Sequence, residues 1–229
     1  MKAMVILTAL LGLSGPAFAQ SSFEPPQGCT GVLTVQSRSC LVTHLWTCAA
    51  DAPGEQWIAL FGQNGPFQVR KIDAEFQWLT TYYADPPRTE TMAQPAPDPE
   101  SLTELFANDY DTFDFTVSFD DGAEPERIVG FDKLTGESVV IDGETLLRTE
   151  FGYDMLAPDG TITASRAGAQ FVSERHRIFL FGTDWDAATP DQVFDGTPVQ
   201  FIYPGEPGFF AASPRYDCGA TMSSFAVLP

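Results

Sequence analysis

The sequence predicts an all-β protein with minor α: an antiparallel meander curled into a barrel or half-barrel, with one or two short helices. A β-sandwich is the alternative. Two patterns predict this. Apolar residues alternate with period two, as in Phe113, Phe115, Val117 and Phe119 against Asp114, Thr116 and Ser118. Tight-turn dipeptides recur at regular spacing between such runs, as in a chain of hairpins.

Taken in order, the chain opens with Met1 and Lys2, an apolar run from Ala3 through Leu13, and the small-x-small triplet Ala17-Phe18-Ala19. Residues 1–19 therefore read as a signal peptide cut before Gln20, which places the remainder in the periplasm or outside the cell. Residues 20–28, rich in Pro, Gln and Gly, read as a flexible arm. Residues 29–229 read as one disulfide-stapled β domain. Residues 30–36 and 41–48 form a hairpin about Ser37-Arg38-Ser39, with Gln36 opposite Cys40. That hairpin sets Cys29 close to Cys48, and the strand geometry keeps Cys40 and Cys48 apart. Four Cys in an exported chain argue for two bridges. The expected pairs are Cys29–Cys48 and Cys40–Cys218.

Asn64-Gly65 marks a hairpin between 57–61 and 67–72. Phe76 and Trp78 alternate with Glu75 and Gln77 as a strand. Residues 84–97, with four Pro, are expected to be one long loop. Asp98-Pro99-Glu100 opens a helix to about Ala107, inside the loop-and-helix region 84–108. Asp121-Gly122, Thr135-Gly136, Asp142-Gly143 and Pro158-Asp159-Gly160 are expected turns. Thr189-Pro190-Asp191 is expected to open a second helix. In outline this pattern is similar to the curled-sheet periplasmic carriers of lipoproteins and lipids, an analogy of architecture that rests on no shared motif.

The chain carries 31 acidic against 12 basic residues, a formal charge of −19. Such a field repels phosphate backbones and anionic lipid headgroups, so nucleic acid is excluded as a partner. No second segment is long and apolar enough to span a membrane as a helix.

Catalytic signatures are absent: no Gly-x-Ser-x-Gly, no Ser-x-x-Lys, no His-Glu-x-x-His and no phosphate-cradling loop. No catalytic residue, metal ligand or cofactor is assigned. Of the two His, His44 in an apolar strand reads as structural, and His176 in Glu174-Arg175-His176-Arg177 as part of a solvated turn. The run 108–114 does not fit a calcium loop, since Phe113 stands where Gly is needed and the closing Glu is missing. Asp109, Asp111, Asp120 and Asp121 read as solvated acidic turns, with an irregular calcium site as the alternative.

Arg166 offers the clearest binding hypothesis. On the preceding strand Arg148, Glu150 and Asp154 share one face, and Leu147, Phe151, Tyr153 and Met155 the other. A three-residue loop at 158–160 places Arg166 opposite Gly152, among surface charges. A register slip of one places it on the apolar face. There, Arg166, Phe151 and Tyr153 would anchor an anionic or lipid-like small molecule. The leading expectation is an exported, non-catalytic binding or carrier module for an apolar or amphipathic small molecule. The alternatives are an envelope interaction or structural protein without a ligand, and a hydrolase using acidic residues.

Overall fold

The computed structural model describes residues 22–219. The signal peptide expected at 1–19 lies outside them. Thirteen strands and one helix follow in chain order: β1 Cys29–Ser37, β2 Leu41–Cys48, β3 Gln56–Gly62, β4 Gly65–Ile72, β5 Trp78–Ala84, β6 Pro87–Met92, α1 Leu102–Asn108, β7 Tyr110–Phe119, β8 Glu126–Ile141, β9 Glu144–Leu156, β10 Ile162–Ser173, β11 Ile178–Asp186, β12 Phe194–Asp195 and β13 Pro198–Ile202. All strands join one antiparallel sheet in the order β12-β11-β10-β9-β8-β7-β6-β5-β4-β3-β2-β1-β13. The protein is therefore nearly all β, a single meander sheet that is not closed. Its two end strands are nonetheless consecutive in the chain, with only Gly196 and Thr197 between them. Three Cα steps of 3.8 Å bring the opposite edges within about 11 Å of each other, so the sheet is rolled up.

The rolled sheet encloses its main core. Leu33 and Val35 of β1, Leu45 of β2 and Ile58 of β3 meet Leu146 of β9, Phe171 of β10, Leu180 of β11 and Phe201 of β13. Helix α1 adds Leu102 and Leu105, both fully buried. A second inner cluster joins Met92, Phe113, Phe115, Val117 and Ile128. Outside the roll, Val42, Trp46, Ala59 and Phe61 are covered by Phe23 and by Phe209, Phe210 and Ala212 of the C-terminal segment. Cys29 is bonded to Cys48 and Cys40 to Cys218. No helix among the described residues is long and apolar enough to cross a membrane.

Several expectations require correction. Gln36 pairs with Val42, not Cys40; Cys40 sits in the turn with φ 55°. The arm is not loose from residue 22 onward: Ser22 bridges Ala211, and the Phe23 N–H donates to the Phe210 carbonyl at 2.8 Å. Phe76 lies in a turn, with φ 70°, where the Asp73 carboxylate accepts from the N–H groups of Glu75 and Gln77. The Pro-rich loop contains β6, because residues 87–92 can pair with β5 on one side and β7 on the other. The helix starts three residues late, since the Ser101 hydroxyl caps it by accepting from the Glu104 N–H at 3.2 Å. Thr135-Gly136 is not a turn but an irregularity within β8, between Leu134 and Ser138. No helix forms at 189–196; those residues turn and lead into β12.

Candidate functional site

The inner wall changes character strand by strand. Cross-strand partners share a face, and one row runs Leu33, Leu45, Ile58, Arg70, Thr81, Glu90 and Phe119. The β1–β3 end of this row is apolar and fully packed. From β4 onward it carries charge. Strand β4 alternates Phe67 and Val69 against Gln68 and Arg70, which suggests Arg70 outside. The opposite holds because Arg70 shares its face with fully buried Ile72.

Arg70 lies over the Trp78 ring at 3.8 Å and donates through Nε to the Thr81 hydroxyl at 2.9 Å. Thr81 donates onward to Glu90 Oε1 at 3.1 Å, and the Tyr83 hydroxyl donates to Glu90 Oε2 at 3.0 Å. Burial first, and then Glu90, push the Tyr83 phenol up to about 12, against the opposing Arg70. No carboxylate among the described residues lies within ion-pair distance of Arg70. Beside it is a cavity of about 70 Å³, walled also by Thr43, Leu60, Gln68, Phe76 and Phe179.

The three residues singled out at 151–166 belong to the same inner wall. The loop at 158–160 has the three-residue length expected, with the Ala157 N–H donating to Thr161 O. An irregularity between Ile162 and Ala164 then shifts the register by one. Arg166 consequently faces Tyr153 instead of Gly152, which corrects the surface placement and puts it on the aromatic face. Phe151 stacks on Tyr153 at 6.2 Å, and Trp78 meets Tyr153 edge-on at 6.4 Å. Burial raises the Tyr153 phenol, and the nearby Arg166 and Arg70 oppose that shift.

Two glycines make the wall possible. A Cβ on Gly130 would stand 2.6 Å from Tyr153 Cβ, and one on Gly168 would stand 2.8 Å from Asp184 Cα. Asp184 is the ion-pair partner of Arg166.

Next to this wall is a buried acidic pocket. Asp111 of β7 and Asp132 of β8 are direct cross-strand partners, and Glu100 is buried with them. The Ser101 N–H donates to Asp111 at 2.8 Å, and the Gln170 amide to Asp132 at 2.6 Å. Burial is the first cause of pushing Asp111 up to about 6, Asp132 to about 7 and Glu100 well above the usual range; the carboxylates also repel one another. Among the described residues no group of three or more His, Cys, Asp or Glu is arranged to hold a metal ion.

His44 is fully buried on the outer face, its Nδ1 3.1 Å from the Thr34 hydroxyl. His176 is not solvated as expected: its side chain is 8% exposed, because its ring packs on Tyr203 beside Glu144. Arg70 has no signal in the sequence as a candidate. Period-two alternation carries no signal for an inward Arg opposite an apolar strand.

Fold and site together define a disulfide-stapled, rolled antiparallel sheet with an aromatic, guanidinium-bearing inner wall. Comparison with protein-family models, curated proteins and solved structures finds no match to this chain.

Proposed function

We propose that this is an exported, non-catalytic binding module of the periplasm or extracellular space for a small amphipathic anion. The observation that carries the reading is Arg70. In a chain with far more acids than bases, an inward guanidinium is held on an indole and reaches Glu90 only through the Thr81 hydroxyl. It has no carboxylate among the described residues in direct ion-pair contact and is open to an anion. Arg166 on the same inner wall is already paired with Asp184, so the charge argument rests on Arg70 alone. Trp78, Tyr153 and Phe151 offer apolar surface to a ligand's body. The adjoining cavity has about the volume of two water molecules in the liquid. It accepts a carboxylate head, not an acyl chain, so the tail must lie along the half-buried aromatics.

Decanoate and decanol distinguish this reading from mere greasiness. Decanoate is expected to bind, quench tryptophan fluorescence and lose at least tenfold in affinity in Arg70→Met. Equal binding of decanol, or no binding of decanoate, would overturn the reading. The small cavity favours a second reading, an envelope structural or interaction protein with a filled core, and the absence of decanoate binding is its expected result.

A further inference from the structure

A larger opening lies away from the inner wall, a cleft of about 450 Å³ at the end of the roll. It falls within the size range of small-molecule sites. The loop at 51–56 forms one side and the β10–β11 turn at 175–177 the other, tied by Gln56 Nε2 donating to the His176 carbonyl at 3.0 Å.

The two sides carry opposite charge. On the loop, Asp51 and Glu55 share one cation, Lys71, at 2.9 and 2.6 Å. Two carboxylates on one ammonium leave that side net negative. On the turn, Arg175 Nη1 donates to Glu144 at 2.7 Å and to the Tyr203 hydroxyl at 3.2 Å. Its Nε and Nη2 make no hydrogen bond to the described residues, and its side chain is 64% exposed. One edge of the guanidinium fork therefore remains open, in the geometry that takes a carboxylate through two parallel bonds.

His176, on the same turn as Arg175, is held against Tyr203. The Tyr203 hydroxyl donates its single proton to Glu144, so its oxygen accepts from Arg175 and from His176 Nε2 at 3.2 Å. That assigns the proton to Nε2 and leaves Nδ1 as an acceptor. Burial lowers the His176 pKa, in keeping with a neutral ring. Val32, Ala52, Pro53 and Ala74 supply the apolar remainder of the lining.

We infer that this cleft is a binding site for a small zwitterion with an apolar body, of the amino-acid type. Its carboxylate takes the free edge of Arg175, and its ammonium takes Asp51 and Glu55 on the loop side, with His176 Nδ1 on the turn side as a further acceptor. The site is independent of Arg70, which lies on the inner wall.

The test compares L-leucine, leucinamide and N-acetyl-leucine on the oxidised protein, followed by calorimetry and by NMR shifts of the 51–56 and 175–177 amides. Leucine is expected to bind and to shift both segments. Leucinamide, lacking the carboxylate, and N-acetyl-leucine, lacking the ammonium, are each expected to bind at least tenfold more weakly. Arg175→Met, at an exposed position, is expected to lose leucine binding while leaving decanoate binding at Arg70 intact, and Arg70→Met to do the reverse. Equal binding of all three compounds would show an unselective apolar cleft and overturn the inference. So would the absence of any leucine response at about 10 mM, above the range where even a 1 mM dissociation constant registers.

Discussion

The outer face of β1–β3 and the pocket beneath α1 both take ionisable side chains out of water, and both make charging them costly. On the outer face a single imidazole, His44, sits among Phe23, Phe61 and Phe210, with ring centroids 5.7, 5.0 and 4.7 Å away. Burial lowers its pKa to about 4. Beneath α1, Glu100, Asp111 and Asp132 crowd one pocket and are pushed up, Asp111 to about 6 and Asp132 to about 7. Desolvation acts on both, but it disfavours a cation in one place and anions in the other. The two regions therefore answer pH in opposite senses. Stability from neutral His44 is complete above pH 6.5 and is lost as pH falls through about 4. Stability from the protonated carboxylates is complete below the ordinary carboxylate range and is lost as pH rises through about 6 to 7.

The largest expected effect breaks the outer region outright. Cys40–Cys218 closes a loop of 178 residues, which chain entropy values at about 5 kcal/mol, against about 3 for Cys29–Cys48 with a separation of 19. Replacing both Cys40 and Cys218 by Ser should release the cover over His44. Denaturant titration should then show a larger loss than for the Cys29/Cys48 pair.

Next comes Asp132→Asn. It keeps the acceptor for Gln170 and removes a charge that must otherwise be suppressed, so it should stabilise the protein at pH 8 by up to about 4 kcal/mol and have little effect near pH 4. A melting temperature that does not rise more at pH 8 than at pH 4 would remove the acidic pocket from the comparison.

His44→Phe acts at the other end of the scale. It should abolish a pH-dependent loss of about 3 kcal/mol between pH 6.5 and 4 while costing the Thr34 hydrogen bond at all pH values. Stability measured along pH should lose the low-pH slope in His44→Phe and only part of the opposite slope in Asp132→Asn, where Glu100 and Asp111 remain raised. The smallest effect is expected for Ser101→Ala, about 1 kcal/mol, through loss of the α1 cap; circular dichroism melts should report it without changing either slope.

Much of the fold is written locally. Asp142 and Gly143 both adopt positive φ, at 47° and 85°, as the Asp-Gly pair between two alternating runs implies. The hairpin that carries Cys29 and Cys48 is likewise readable from its alternation and turn. What escapes local reading is the irregularity that alters register. The loop at 158–160 has the length its Pro-Asp-Gly sequence implies, yet the slip between Ile162 and Ala164 turns Arg166 to the other face. Nothing in the residues Thr161 to Ala164 marks it; it follows from fitting β10 against β9 and β11 together. Arg70 escaped for a related reason. Its pairing with Ile58 is set within the β3–β4 hairpin by the irregularity between Leu60 and Phe61, which shifts the register by one from that of the Gly62–Gly65 turn. Asp111 and Asp132 stand 21 positions apart, and only hairpin register makes them partners.

Residues 194–202 hydrogen-bond to β11 at one end and to β1 at the other, with the Gly196 N–H donating to Gly182 O and the Arg38 N–H to Thr197 O. One short run of chain thus serves as the clasp of a belt whose other eleven strands only lie side by side. Undoing it frees two margins at once, each a ready template for a stranger's backbone. Proteolysis at 196–197 should therefore convert the roll into material that adheres to itself.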